Sequence, residues 1–396
     1  MKRMALTLAA FALTGALAFA QDAATPAPPL TIGGYLDVGN LTTIGANTGA
    51  KTIIKGDDSG IAGGSYEFRG AYSLSNQAGL IFNVRFENLA SGTSVVYDTQ
   101  SAYLWFLAPG LESLKVLAGN YNNDGTAWNA VDDNGAKATK GTGVALQFTP
   151  MTGFSLGGGV APSTDGYTPP TYSAGATYTI ADTALLQGAL WTANKAWVAT
   201  VDGAYAGGKL LLAGPFSAKG DFNIGGLSQS GSVVNTFTDV TLGYAVTDAL
   251  SLGLLTYVYT YGSDIKDFAS STTGDAATLG LKINPSVSYT VNPVVAVSLG
   301  GTYFTGPNVF GVSDGVAKTY SSLGISTVPA ANQVLNKVNK IEVNPGVTFT
   351  VDKNTVVYVN YLYDTVSGDD IDALAKVSTL TDKSWSTFKI DYRYTF

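Results

Sequence analysis

Ser384-Trp385-Ser386-Thr387-Phe388-Lys389-Ile390-Asp391-Tyr392-Arg393-Tyr394-Thr395-Phe396 ends the chain. Counted back in twos, Phe396, Tyr394, Tyr392, Ile390 and Phe388 share one register, and Thr395, Arg393, Asp391, Lys389 and Thr387 share the other. A β-strand sends successive side chains to opposite faces, so the segment carries an apolar face and a charged one. A soluble sandwich buries the apolar face. A membrane barrel turns it to lipid and keeps charge in the lumen.

The other end points to export. Lys2 and Arg3 are the only charges before Asp22, an apolar run covers Met4 to Ala18, and Ala18-Phe19-Ala20 is a small-x-small cleavage site. Residues 1–20 are therefore expected to be a cleaved signal peptide. Residues 21–29 form a Pro/Ala-rich leader that cannot pair as a strand and is expected in the periplasm. The run is too short to anchor the chain, and after it no stretch is apolar enough to span a bilayer as a helix.

Composition removes several function classes. There is no Cys, so an exported chain has no disulfides to rely on. There is no His, so triads that depend on it and the usual zinc sites cannot be built. No enzyme, no cofactor and no metal is expected. Charged residues make up 13% of the chain, about half the roughly 25% of soluble domains. The formal net charge is −7, and losing Lys2 and Arg3 with the signal gives −7 − 2 = −9, which argues against nucleic acid as a partner.

The body of the chain repeats the logic of its last strand. Ile32, Gly34, Leu36 and Val38 alternate with Tyr35 and Asp37, and Tyr66, Phe68, Tyr72 and Leu74 with Glu67, Arg69 and Ser73. Leu80, Phe82, Val84 and Phe86 alternate with Asn83, Arg85 and Glu87. Charges set regularly between aromatic residues suit a wall with lipid on one side and water on the other.

Short turns recur behind an aromatic residue, at Tyr72–Asn76, Tyr178–Asp182, Tyr244–Asp248, Tyr289–Pro293 and Phe349–Asn354, with variants at Phe106–Gly110, Phe148–Gly153 and Tyr205–Gly208. The rings form a belt at one membrane interface. Polar connections fall near 41–63, 90–96, 121–139, 162–170, 193–195, 219–236, 262–276, 306–338 and 365–383. Eight short turns and nine longer connections predict an all-β, transmembrane, antiparallel up-and-down β-barrel of about 18 strands over residues 30–396, with 16 the alternative. The region 209–236 is the weakest part of that count.

The terminal strand resembles that of bacterial outer-membrane barrels. The resemblance implies that Phe388, Ile390, Tyr392, Tyr394 and Phe396 are read by the outer-membrane insertion machinery, after escort by periplasmic chaperones. Ala102–Tyr121 resembles a strand–turn–strand of Gram-negative porins, and Gly141–Ala161 the hairpin after it. This likeness covers about a third of the chain; the rest follows by periodicity. It implies an integral protein in the lipids of the bacterial outer membrane, a passive diffusion channel for ions and small hydrophilic solutes, often a homotrimer, with one long loop folded into the lumen. Residues 121–139, with Asp124, Asp132 and Asp133, occupy the corresponding place, without the family's usual loop motif.

Strand parity puts Arg69, Arg85, Lys115, Lys389 and Arg393 in the lumen, with Glu67, Glu87 and Asp391. Charged rings in a narrow pore bias which ions pass, and a basic wall facing an acidic loop would set a transverse field there. The plainer reading is that these charges solvate the lumen or pair with one another, and that Asp132-Asp133 is a solvated turn. The alternative function is a closed barrel whose extracellular loops serve as an adhesin or structural surface. The acidic balance hints at cations as permeants.

Overall fold

The computed structural model describes residues 30–44, 51–55, 65–87, 96–120, 142–161, 171–192, 201–211, 214–225, 235–260, 266–267, 279–306, 333–334, 338–369 and 383–396. Residues 1–29, read above as signal and leader, and the loop at 121–139 lie outside them.

The strands are β1 (Thr31–Ile44), β2 (Lys51–Lys55), β3 (Ser65–Ser75), β4 (Ala78–Glu87), β5 (Val96–Ala108), β6 (Leu111–Asn120) and β7 (Thr142–Met151). Then come β8 (Phe154–Ala161), β9 (Thr171–Ile180), β10 (Ala184–Thr192), β11 (Val201–Leu210), β12 (Phe216–Gly225), β13 (Asn235–Ala245) and β14 (Leu250–Thr260). The last are β15 (Lys266–Asp267), β16 (Leu279–Thr290), β17 (Val295–Thr305), β18 (Gln333–Val334), β19 (Asn339–Thr350), β20 (Thr355–Ser367) and β21 (Ser384–Thr395).

Nineteen of these form one sheet, and β2 pairs with the far end of β1 in line with β3, so it continues that stave and leaves 18. Each stave pairs antiparallel with its neighbour in the chain. β1 pairs with both β3 and β21, so the sheet closes on itself. The count of 18 stands, and 16 does not.

The exposed side of this wall is the apolar one. Leu156, Tyr178, Leu186, Leu254, Ile341, Tyr361 and Ile390 are all between 37% and 50% exposed. The buried polar residues Glu67, Asn83, Thr177, Gln187, Asp239 and Asp391 occupy the opposite register. This inversion of a soluble protein's pattern is what a barrel in lipid requires. It disposes of a secreted sandwich.

Several short turns show why the aromatic-led repeat works. Thr247, Asn292 and Asp352 hold the same place in it, and each side chain accepts backbone N–H groups of the residues that follow it in the turn. Asn292 Oδ1 accepts from Val294 at 2.8 Å and from Val295 at 2.9 Å. The turn at 181–183 differs. Ala181 and Asp182 both have positive φ, 32° and 56°, the twist that suits a two-residue hairpin.

One expected turn was misplaced. Tyr205–Gly208 lies within β11, and the short connection falls after that strand, with Gly214-Pro215 just before β12. The paired glycines serve close approach: a side chain on Gly207 would collide with the Tyr205 ring. The expected loop at 219–236 is corrected with it, because residues 216–225 are β12. There Phe216, Ala218, Phe222 and Ile224 alternate with Lys219, Asp221 and Asn223.

Candidate pore wall

Directly paired residues of an antiparallel ladder share a face, so register carries the inner face from strand to strand. One such row runs Gly79–Trp105–Leu117–Ala145–Gly159–Ser173–Trp191–Gly203 across β4 to β11. Another runs Thr177–Gln187–Gly207–Asp221–Asp239–Tyr257–Lys282–Phe304–Lys340–Val366 across β9 to β20.

The two rows differ in chemistry. The first carries no charge, and its floor is small and dry: Leu117 is 0% exposed and Ala145 1%. Its indoles lie flat over glycines, since an added Cβ at Gly79 would meet Trp105 Nε1 at 2.6 Å, and one at Gly203 would meet the Trp191 ring. The second row mixes acids, lysines and rings. Lys282 Nζ sits 5.0 Å from the ring centres of both Tyr257 and Phe304, within cation–π range. Lys115 does the same over Trp105 at 4.9 Å, and the Arg393 guanidinium over Tyr35 at 5.1 Å.

Two ion-pair networks face the lumen. Glu67, fully buried, pairs with Arg69 and Arg85 and accepts the Tyr35 hydroxyl at 3.0 Å. Arg85 approaches it twice, Nε at 3.1 Å and Nη2 at 2.9 Å. Around the wall, Lys340 Nζ reaches Asp364 at 2.8 Å and Glu342 at 3.1 Å. Glu342 also accepts from Thr302 at 3.4 Å, whose hydroxyl accepts from Asn284 at 3.1 Å. Lys389 pairs with Asp391 at 2.5 Å.

Arg69, Arg85, Lys115, Lys389, Arg393 and Glu67 thus all occupy the inner face. The geometry binds Glu67, Arg69 and Arg85 into one cluster and leaves Lys115 apart, on Trp105. Glu87 pairs by register with Ser65, but its side chain, like Asp124, Asp132 and Asp133, lies outside the described residues. Phe388, Ile390, Tyr392, Tyr394 and Phe396 are on the outer face, each between 39% and 42% exposed. Sequence reasoning missed Lys209, Lys219, Asp221, Asp239, Lys282, Lys340, Glu342 and Asp364. Each alternates with apolar residues along its strand, so parity was the signal that could have found them.

An eighteen-stave barrel with an apolar outside and a charged inside is a transmembrane β-barrel. No family model matches the sequence, and no curated protein does. Solved structures share the fold. The chain is similar to OprD of Pseudomonas aeruginosa, with TM-score 0.52 and 11% identity over 93% of this chain and 95% of that one. It is also similar to OccAB3 of Acinetobacter baumannii, with TM-score 0.53 and 9% identity over 93% and 99%. At such identities the likeness establishes the architecture.

Proposed function

We propose that this protein is an integral outer-membrane porin, a water-filled channel through which ions and small hydrophilic solutes diffuse passively. One observation carries the reading: charged and hydrogen-bonding side chains line the inner face, from Glu67 on β3 to Asp391 on β21, while the outer face is apolar. Eighteen staves enclose more space than wall side chains fill. The signal peptide expected from the sequence of residues 1–20 and the likeness to the terminal strands of outer-membrane barrels support the location. The same reading makes outer-membrane lipids, the insertion machinery and periplasmic chaperones its partners, allows a homotrimer, and needs no cofactor and no catalysis.

In this reading residues 121–139 fold inward and narrow the pore. Tyr103, Leu117 and Ala145 support that. They form one cluster on the inner face, Leu117 and Ala145 on the strands that flank this loop and Tyr103 beside them on β5, and each is no more than 1% exposed. Asp124, Asp132 and Asp133 would then face Arg69, Arg85, Lys389 and Arg393 across the lumen.

The test is conductance of the purified chain in a planar bilayer. Discrete open steps are expected. A folded barrel that inserts and shows none would overturn the proposal and move function to the extracellular loops, as an adhesin or structural surface.

A further inference from the structure

We infer that the lumen selects anions, although the chain as a whole is acidic. The inference rests on the porin reading above and concerns the depth at which each sign of charge is held.

The acids are sunk into the wall. Glu67 is 0% exposed, Asp391 1%, Asp239 2%, Asp364 3% and Asp221 5%. The bases are not. The side chains of Arg69, Arg85, Lys389 and Lys340 are 61%, 23%, 20% and 16% exposed, Lys219 is exposed, and Lys115, Lys209, Lys282 and Arg393 are half-buried. Among the described side chains no inner-face base is buried, and Glu342 is the single inner-face acid that is not, held there by Lys340. Asp37, Glu87 and Asp98 hold inner-face register positions with side chains outside the described set. Two of them stand opposite cations, Asp37 opposite Arg393 and Asp98 opposite Arg85.

The cause is side-chain length. A carboxylate on one or two methylenes ends close to the backbone. A lysine or arginine lays its stem along the wall and carries its charge on toward water. Where the two pair, as Glu67 does with Arg69 and Arg85, the base covers the acid. Along the described wall a permeating ion therefore meets cationic ends before it meets carboxylates, and the inference is that this layer outweighs the acids of residues 121–139. With a Debye length of about 10 Å at 0.1 M salt, the nearer layer is felt more strongly than the one behind it. Net charge summed over the sequence misses this, because it weighs buried and projecting groups alike.

The experiment is the zero-current potential of open channels in a planar bilayer under a potassium chloride gradient. The expected sign is chloride over potassium, with a permeability ratio of about two-fold or more. Lys219→Met and Arg69→Gln should each lower that ratio. Asp239→Asn, an equal and opposite change in formal charge, should move it less than either. A potassium-selective potential in open channels overturns the inference and leaves the porin intact, placing control on acids outside the described wall. Equal and opposite shifts from Lys219→Met and Asp239→Asn also overturn it. An absence of steps overturns the porin reading itself. A variant that does not fold gives no open channels, so it cannot mimic a changed sign, and the second base substitution keeps the comparison.

Discussion

The ring of Phe396 lies over Gly34 and stacks on Tyr66, centroids 5.7 Å apart and planes 16° from parallel. Phe396 and Gly34 exchange two backbone hydrogen bonds of 3.1 Å, so the last residue spans the first stave and packs on its other neighbour, β3. An added Cβ at Gly34 would sit 2.8 Å from Phe396 Cζ and would also strike the Glu67 carbonyl oxygen.

Phe396→Ala should therefore weaken the seam. The lost aromatic pair alone is worth about 1 kcal/mol. Gly34→Ala should cost more, since both a ring and a backbone must shift. Urea midpoints of the folded barrel in detergent check both; an unchanged midpoint for Gly34→Ala would show that the ring does not rest there.

Glu67→Gln should be the most damaging single change on the inner wall. It removes a buried carboxylate and leaves the Arg69 and Arg85 guanidiniums side by side, and breaking a buried pair costs about 3 kcal/mol. The urea midpoint should fall, and surviving channels should shift further toward chloride. Glu67→Asp should recover part of the midpoint.

Asp352 gives a pH dependence at the short-turn end. Its carboxylate accepts the Asn354 N–H at 2.7 Å and the Thr355 hydroxyl at 3.1 Å, and the Asn354 bond is the main cause that holds its pKa below the usual carboxylate range. A depressed folded pKa means stabilisation present above the unfolded value and lost as pH falls through the folded one. Wild type should exceed Asp352→Ala in stability at neutral pH, and the gap should close in acid. The same comparison with Asn292→Ala, an equivalent turn with no titrating group, should stay flat across that range.

Ala181 adopts a φ of 32°, unfavourable for a residue with a Cβ. Ala181→Gly should raise stability by about 0.5–1 kcal/mol. Asp182, at 56°, belongs to a residue type that tolerates this region, so Asp182→Gly should gain less. Paired urea titrations distinguish the two.

The barrel was legible because each stave must obey one rule along its length, apolar out and polar in, and Phe388 to Phe396 state that rule unaided. The stave count followed from turns whose chemistry is local, such as Asn292 and Asp352. The error at Tyr205–Gly208 came from glycines that serve packing and read as punctuation. The wall charges were half legible. Parity gives the face of Arg69 or Lys115, but register alone decides that Glu67 meets Arg85, or that Lys282 falls between Tyr257 and Phe304. Depth was invisible, since nothing in the letters distinguishes a sunken Asp239 from a projecting Lys219.

The pairing of Tyr35 with Thr395 also sets the order of events in the protein's making. Until β21 is in place the sheet keeps two raw edges, each a row of unsatisfied amides that lipid cannot solvate. No fragment that lacks β21 can finish the cylinder, so closure must wait for that stave. A chain without that one stave would be an open sheet and not a smaller channel.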